Sequence, residues 1–465
     1  VARLRADLTR VFHAPVAARS TWAVDVRSLD RPDVLYQLDA ERLVMPASNM
    51  KIVTLAAAAE LLGWDYRFTT VLESDAPIVD GVLDGDLFVR GTGDPTIAVR
   101  NGRAEAVLGD WANALREAGI FRIRGRIVGD DQAFDDEWLG AGWSWDYLQY
   151  GYAAPVGALQ FDENIARLTI TPASMPGAPP ALTLPPGTGL TIENRARTDP
   201  AGSGDSIDYR RRLDRPVLEV TGGIEAGSPP VTRPVAVVNP TLFFAHSLRE
   251  GLIARGIAVD GDAADQDDIA AELLGRQTTR RPLASTSSPS LRDMAAVLMK
   301  VSQNLYAETL MKAVGALEGG LGTMAGARAR IGGLLTTWEV PADSCVVSDG
   351  SGLSRYNYLT ARALTTILGR MYRDERDREA FMSSLPVAGR DGTLASRMRR
   401  TRAEGNAAAK TGSISNVRAL SGYVRTRDGE MLAFSIVAND FVLPAATINW
   451  ITDLAVEVLA NFTRR

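Results

Sequence analysis

The spacing of apolar residues changes character several times in the first 65 positions. Leu4 to Phe12 has the spacing of an amphipathic helix, and Thr21 to Arg27 and Val34 to Leu38 read as strands flanking a turn at Asp30 to Asp33. Ala47 to Leu62 is an alanine-rich helix stopped by Gly63. The far end has complementary parts. Ser421 to Thr426 and Met431 to Asn439 pair as a hairpin across 427–430, and Thr447 to Phe462 is a closing helix. Strands and helices at both termini predict one sheet domain built from the two ends of the chain, with other material inserted between them.

The interior has a different texture. Leu87 to Arg90, Arg122 to Val128, Arg167 to Thr171 and Pro216 to Thr221 are short strand-like pieces among many turns, and 171–189 is rich in proline. Two segments have helical spacing, Ala104 to Ala118 and Leu242 to Ile257; the second carries His246 on its surface. These predict one or two β-rich modules over roughly 66–275, with the polar stretch Gln277 to Ser290 as the linker back. At 465 residues the length itself predicts about three domains.

Composition narrows the chemistry. Hydrophobic residues at 46% and charged residues at 23% fit an ordinary soluble protein, and no run approaches the roughly 20 apolar residues of a membrane helix. A net charge of −5 gives no nucleic-acid footprint, and Arg210 to Arg212 alternate with Asp208, Asp214 and Glu219 as a solvated face. A single cysteine, Cys345, excludes an intramolecular disulfide and a cysteine-rich zinc site. Neither His13 nor His246 has triad partners nearby in sequence, so a serine hydrolase here would use a base other than histidine. The chain begins at Val1 rather than methionine, and any export signal is expected to be missing from this sequence.

Lysine is scarce. Only four of the 51 basic residues are lysine, namely Lys51, Lys300, Lys312 and Lys410. A buried ammonium can lose its proton, whereas a guanidinium effectively cannot, so these lysines mark places where a base or a compact cation is wanted. Three of them lie in or beside short chemical motifs. Ser48-Asn49-Met50-Lys51 opens the alanine-rich helix, with hydroxyl and amine one turn apart, near backbone N–H groups at the positive end of the dipole. Ser302-Gln303-Asn304 follows Lys300 at a helix junction. Lys410-Thr411-Gly412-Ser413 begins the C-terminal strand pattern, where a strand edge can receive an extended peptide and Gly412 leaves room for close approach. Taken singly, the first is equally an N-cap followed by a surface lysine, and the third a hairpin turn.

In this order the three resemble the S-x-x-K, S-x-N and K-T-G set of penicillin-binding proteins and serine β-lactamases. The 254 positions between Ser48 and Ser302 narrow the resemblance to the D-alanyl-D-alanine carboxypeptidase/endopeptidases of peptidase family S13, the low-molecular-mass class C penicillin-binding proteins. So do Gly91-Thr-Gly-Asp-Pro95, Gly142-Trp-Ser-Trp-Asp146, Ala153-Ala-Pro-Val156, Asn304-Leu-Tyr-Ala-Glu308, Asp349-Gly-Ser-Gly-Leu-Ser-Arg355 and Gly389-Arg-Asp-Gly-Thr393. The resemblance implies an α/β (α+β) β-lactamase/DD-peptidase-like domain over 1–66 and 276–465. It also implies two β-rich inserts, one over 67–94 and 163–275 and the other nested at 95–162.

The same resemblance implies roles. Ser48 would be the acylated nucleophile and Lys51 its base. Ser302 would relay a proton to the departing D-alanine with Lys410 adjusting its electrostatics, and Asn304 would hold the peptide. Backbone N–H groups of Ser48 and Ser413 would form the oxyanion hole. Thr411 and Ser413 would meet the substrate carboxylate beside Gly412. Trp143, Asp146 and Tyr150, in a run with Trp145, Tyr147 and Tyr152, would read the rest of the substrate or, equally, form the insert's local core. Asp349 to Ser354 is expected to be a glycine-rich turn supporting the site. Neither metal nor cofactor is expected. The implied partners are peptidoglycan stem peptides and β-lactams, outside the cytoplasm and without nucleic acid. A serine β-lactamase, a D-amino-acid esterase or amidase, and an idle wall-binding protein are the rivals. A lactamase needs a base for its deacylating water, and no E-x-x-L-N-like element stands between the second and third motifs.

Overall fold

Both ends of the chain meet in one five-stranded sheet. Its strands are β1 (Thr21–Ser28), β2 (Val34–Leu38), β3 (Ala408–Ile414), β4 (Val417–Arg425) and β5 (Met431–Asn439), in the order β2-β1-β5-β4-β3. Every pairing is antiparallel, with Thr21 opposite Asn439, Lys410 opposite Ser421 and Gly412 opposite Ala419. This computed structural model describes residues 1–269 and 279–464. The chain forms two compact units, one of Val1–Tyr66, Gly140–Gly142 and Ser290–Arg465, the other of Arg67–Leu139 and Trp143–Pro289.

The helices of the first unit are α1 (Ala2–Phe12), α2 (Met50–Leu61), α3 (Leu291–Lys300), α4 (Asn304–Gly315), α5 (Met324–Thr337), α6 (Ala361–Arg373), α7 (Glu375–Ser384) and α8 (Ala445–Asn461). Strand alternation assigns the layers. Trp22, Val24 and Val26 of β1 and Leu432, Phe434 and Ile436 of β5 share a core with Leu4, Leu8 and Phe12 of α1 and Ile448, Ile451 and Leu459 of α8. The intervening residues face the other way, where α6 packs on β1 and β5, and α2 packs against α4 and α6. Residues 50–59 of α2 are all buried. A helix apolar on every side belongs inside a layer, and the alanines at 56–59 let its neighbours approach closely.

Two expectations need correction. Arg122 to Val128 is not one strand: Arg122–Ile123 and Ile127–Asp130 belong to different sheets. The break falls at Gly125, where a Cβ would come within 2.4 Å of the Gly85 carbonyl. The supposed linker is also structured. Residues Arg281–Ser287 form an edge strand antiparallel to Thr69–Ser74, while Gln277 lies outside the described residues.

The second unit is β-rich, with two α-helices among its described residues, Arg103–Glu117 and Pro240–Ala254. Its largest sheet runs 263–265, 127–130, 87–91, 69–74, 281–287. One core joins Leu72, Leu87 and Val89 to Trp111 and to Phe244 and Leu248. A second gathers Leu168, Ile170, Leu218, Val220 and Val235.

Candidate active site

Ser48 stands in a single 3-10 turn, Ala47–Asn49, that runs into α2. Ala47 has φ 45°, in the left-handed region that costs a residue with a Cβ about 1 kcal/mol. The surroundings hold it there. Asn439 accepts from Met45 N at 2.8 Å and donates to Met45 O at 3.1 Å, and Asn49 Nδ2 donates to Ser421 Oγ at 2.7 Å. Gly352, at φ 82°, lies so close that a Cβ would come within 1.8 Å of the Ala47 oxygen and 2.9 Å of Ser48 N. The turn is thus pinned to the sheet on one side and to the 349–354 loop on the other.

Lys51 is the first side chain of α2 to reach back over that turn, and it is fully buried. Its Nζ lies 2.7 Å from Asn304 Oδ1, 2.7 Å from the Ser351 carbonyl and 3.1 Å from Ser48 Oγ. The first two are carbonyl oxygens that can only accept. A neutral amine has two N–H groups and one lone pair, so two acceptors use both hydrogens and leave the lone pair facing the one partner able to donate, the Ser48 hydroxyl. Electrostatics agrees with this geometry. Burial lowers the Lys51 ammonium to about pKa 7, against the smaller upward pull of Asp349 and Glu308.

The second serine is also in an uncommon conformation. Ser302 has φ 63° where α3 gives way to α4, and its Oγ receives Lys410 Nζ at 2.9 Å. Lys410 is fully buried in β3, also donates to Thr411 O at 2.8 Å, and is driven well below its usual pKa by burial, with Lys51 adding to the effect. Thr411 Oγ1 donates to Thr393 Oγ1 at 2.7 Å. A Cβ on Gly412 would sit 2.7 Å from Pro46 O and 3.2 Å from Ser48 N, so β3 approaches the serine turn at its backbone. Ser413 is exposed, and among the described residues no strand covers 409–414 on the outer edge.

The structure therefore brings Ser48, Lys51, Ser302, Asn304, Lys410, Thr411 and Gly412 together within the first unit. Of the other lysines, Lys300 pairs with Asp391 at 2.5 Å and Lys312 is buried in α4. Trp143, Asp146 and Tyr150 belong to the second unit. There Asp146 is exposed on a 3-10 turn and accepts from Ser144 Oγ. Tyr150 stacks on Tyr152 at 5.4 Å and meets Tyr209 edge-on at 5.9 Å, packed against the core around Leu168.

Several residues of the site escape single-motif reasoning. Glu308, Asp349, the Ser351 carbonyl, Gly352 and Thr393 have no part in the three motifs. All lie in the longer stretches that carry the family resemblance, which was the available signal. The turn at Asp349 to Ser354 supports the site as expected: Asp349 Oδ1 accepts from Gly352 N at 2.8 Å and Oδ2 from Ser354 N at 2.7 Å.

Comparison with known proteins agrees. The chain is 35% identical over 461 residues to a D-alanyl-D-alanine carboxypeptidase of Actinomadura sp., covering 95% of this chain and 82% of that protein. Its fold matches the crystal structure of penicillin binding protein 4 (dacB) from Haemophilus influenzae with a TM-score of 0.82 at 24% identity, over 98% of this chain and 99% of that one. The same protein complexed with a novel β-lactam matches with a TM-score of 0.79 at 23% identity, again over 98% and 99%. The sequence pattern described as the D-Ala-D-Ala carboxypeptidase 3 (S13) family matches residues 4–461, and with that match over nearly its whole length the chain belongs to this family.

Proposed function

We propose that this protein is a serine DD-carboxypeptidase or DD-endopeptidase that cleaves D-Ala-D-Ala termini or D-alanine-linked cross-links of peptidoglycan stem peptides. The observation that carries this is the buried Lys51 Nζ, 2.7 Å from each of two carbonyl oxygens that can only accept and 3.1 Å from Ser48 Oγ, so that its neutral form would turn its lone pair to the serine. Lys51 takes the Ser48 proton as Oγ attacks the scissile carbonyl, and the developing oxyanion is met by the backbone N–H groups of Ser48 and Ser413. One such donor contributes about 3 kcal/mol. The proton taken by Lys51 is handed on through Ser302, polarised by Lys410, to the leaving nitrogen, so the amine departs neutral, Lys51 is again the free base and Ser48 carries the acyl group. Asn304 holds the peptide, while Thr411 and Ser413 receive the terminal carboxylate. Water then hydrolyses the ester.

β-Lactams acylate Ser48 in the same way but keep their opened ring attached, so no fragment departs to make way for water. That this fold is known in complex with a β-lactam supports the reading. Trp143 and Asp146, with Tyr150 at their flank, would meet the distal part of the stem peptide, where an exposed carboxylate suits an ammonium. Action on the cell wall places the protein outside the cytoplasm, and no helix among the described residues is long and apolar enough to cross a membrane. The catalytic domain would comprise 1–66 and 276–465. The inserts would be one over 67–94 and 163–275 and one nested at 95–162.

The test is incubation with labelled penicillin and, separately, a D-Ala-D-Ala-terminated stem peptide. A lasting adduct on Ser48 together with D-alanine release is the expected result. Rapid penicillin turnover would make the protein a β-lactamase, and neither signal would make it an idle binder. An undiminished adduct in Ser48→Ala would sink the site assignment.

A further inference from the structure

Behind the Ser48–Lys51 pair lies a carboxyl that the acyl-transfer steps above do not use. Glu308 is four residues along α4 from Asn304, on the same face, and 3% exposed. Its Oε1 accepts from Ser351 N at 2.7 Å and its Oε2 from Gly350 N at 3.1 Å. The next link is the Ser351 carbonyl, which accepts from Lys51 Nζ at 2.7 Å. One carboxyl thus grips two consecutive N–H groups of the loop whose carbonyl orients the amine. Thr54 Oγ1 holds the Gly350 carbonyl at 2.7 Å, and Gly352 abuts the Ser48 turn with no space for a Cβ. A loop containing Gly350 and Gly352 has little stiffness of its own, so its aim depends on these ties.

We propose that Glu308 is a positioning residue for acyl transfer: by clamping the 350–351 backbone it aims the Ser351 carbonyl at Lys51, which turns the amine's lone pair onto Ser48. The proposal rests on the reading of Lys51 as the base. Charged groups face this clamp from several elements. Lys51 of α2 and Asp349 of the loop act on it electrostatically, and Lys312 is buried one turn further along α4. From α5, Arg328 donates to Ser348 O at 3.2 Å. Burial, then the nearby Asp349 charge, raises the Glu308 carboxyl above its usual range.

The test compares penicillin acylation across pH for the full-length wild type and Glu308→Gln. Glutamine keeps the length and one acceptor, but its NH2 meets the Gly350 N–H donor to donor. The maximal acylation rate should fall about 10- to 100-fold while the noncovalent dissociation constant stays within about twofold. The acid limb of the profile should move to lower pH, because the Lys51 ammonium loses an aimed carbonyl, and NMR of isotope-labelled lysine should show Lys51 titrating with the same displacement. A wild-type profile would overturn the proposal. So would a lower plateau with the limb unmoved or moved upward, the result of mere loosening and hydration. Glu308→Asp, which can reach only one of the two N–H groups, carries the same expectation if the glutamine variant does not fold. If the wild type itself forms no Ser48 adduct, the assignment of Ser48 and Lys51 fails instead, a result distinct from either.

Discussion

Lys51 shows why lysine, rather than arginine, occupies this position. In the proposed mechanism acylation requires its neutral form, and with the group held at about pKa 7 the neutral fraction falls about tenfold for each pH unit below that. The sign is definite: a base must be unprotonated, so activity is lost as pH falls. We expect the rate of penicillin acylation at pH 5 to be about 100-fold below that at pH 8, measured by stopped reaction and mass spectrometry. Lys51→Arg should be as inactive as Lys51→Ala, since the guanidinium keeps its charge but cannot accept the Ser48 proton. Retained activity in the arginine variant would refute the role. Lysine scarcity made this residue legible in the sequence. What was not legible is why the amine points as it does, because the Ser351 carbonyl and the Glu308 clamp meet Lys51 only through folding. Nor could spacing pair Lys300 with Asp391, which lies 91 residues away.

At the scale of elements, backbone proximity decides what glycine is for. Gly352 and Gly412 both touch the Ser48 turn, but differently: Gly352 combines φ 82° with a would-be Cβ contact of 1.8 Å, whereas Gly412 is in a strand and its nearest contact would be 2.7 Å. Gly352→Ala should therefore destabilise the fold by about 3 kcal/mol or more in urea unfolding. Gly412→Ala should cost less stability yet slow acylation about 100-fold, by pushing β3 and its Ser413 N–H away from the nucleophile. Gly63→Ala is the control. It has φ 84° but nothing within 4 Å, so only the conformational cost of about 1 kcal/mol applies. The helices α1, α2 and α8 and the strands of the main sheet were readable because each spans enough residues to display its period. The strand at Arg281–Ser287 was not. It is largely polar, contains Pro282, and is irregular between Pro282 and Ala284, so no alternation survives for a pattern to detect.

At the scale of the molecule, the insertion leaves and returns at one place. Leu291 N donates to Tyr66 O at 2.9 Å and Arg292 N to Trp64 O at 3.0 Å, so the two ends of Arg67–Pro289 are already joined by hydrogen bonds. The first unit also has its own sheet and core, formed by residues from both termini. A two-ended domain was legible because the sheet and its covering helices are long; the interior of the insert was not, because many of its strands have only two to four residues. Replacing 67–289 with a short linker should therefore leave a chain that unfolds cooperatively and still forms a penicillin adduct on Ser48. It should not be fully active. Gly140–Gly142 belongs to the first unit, where Ser354 Oγ donates to Ala141 O at 2.6 Å and Arg355 N to Gly142 O at 3.3 Å. Its removal takes away one support of the loop that presents the Ser351 carbonyl, so we expect acylation to be about tenfold slower, with D-alanine release from a full stem peptide reduced further. Mass spectrometry of the adduct and circular dichroism of the shortened chain check both parts. A chain that folds but never acylates would mean that the insert supplies more to the nucleophile than this one segment.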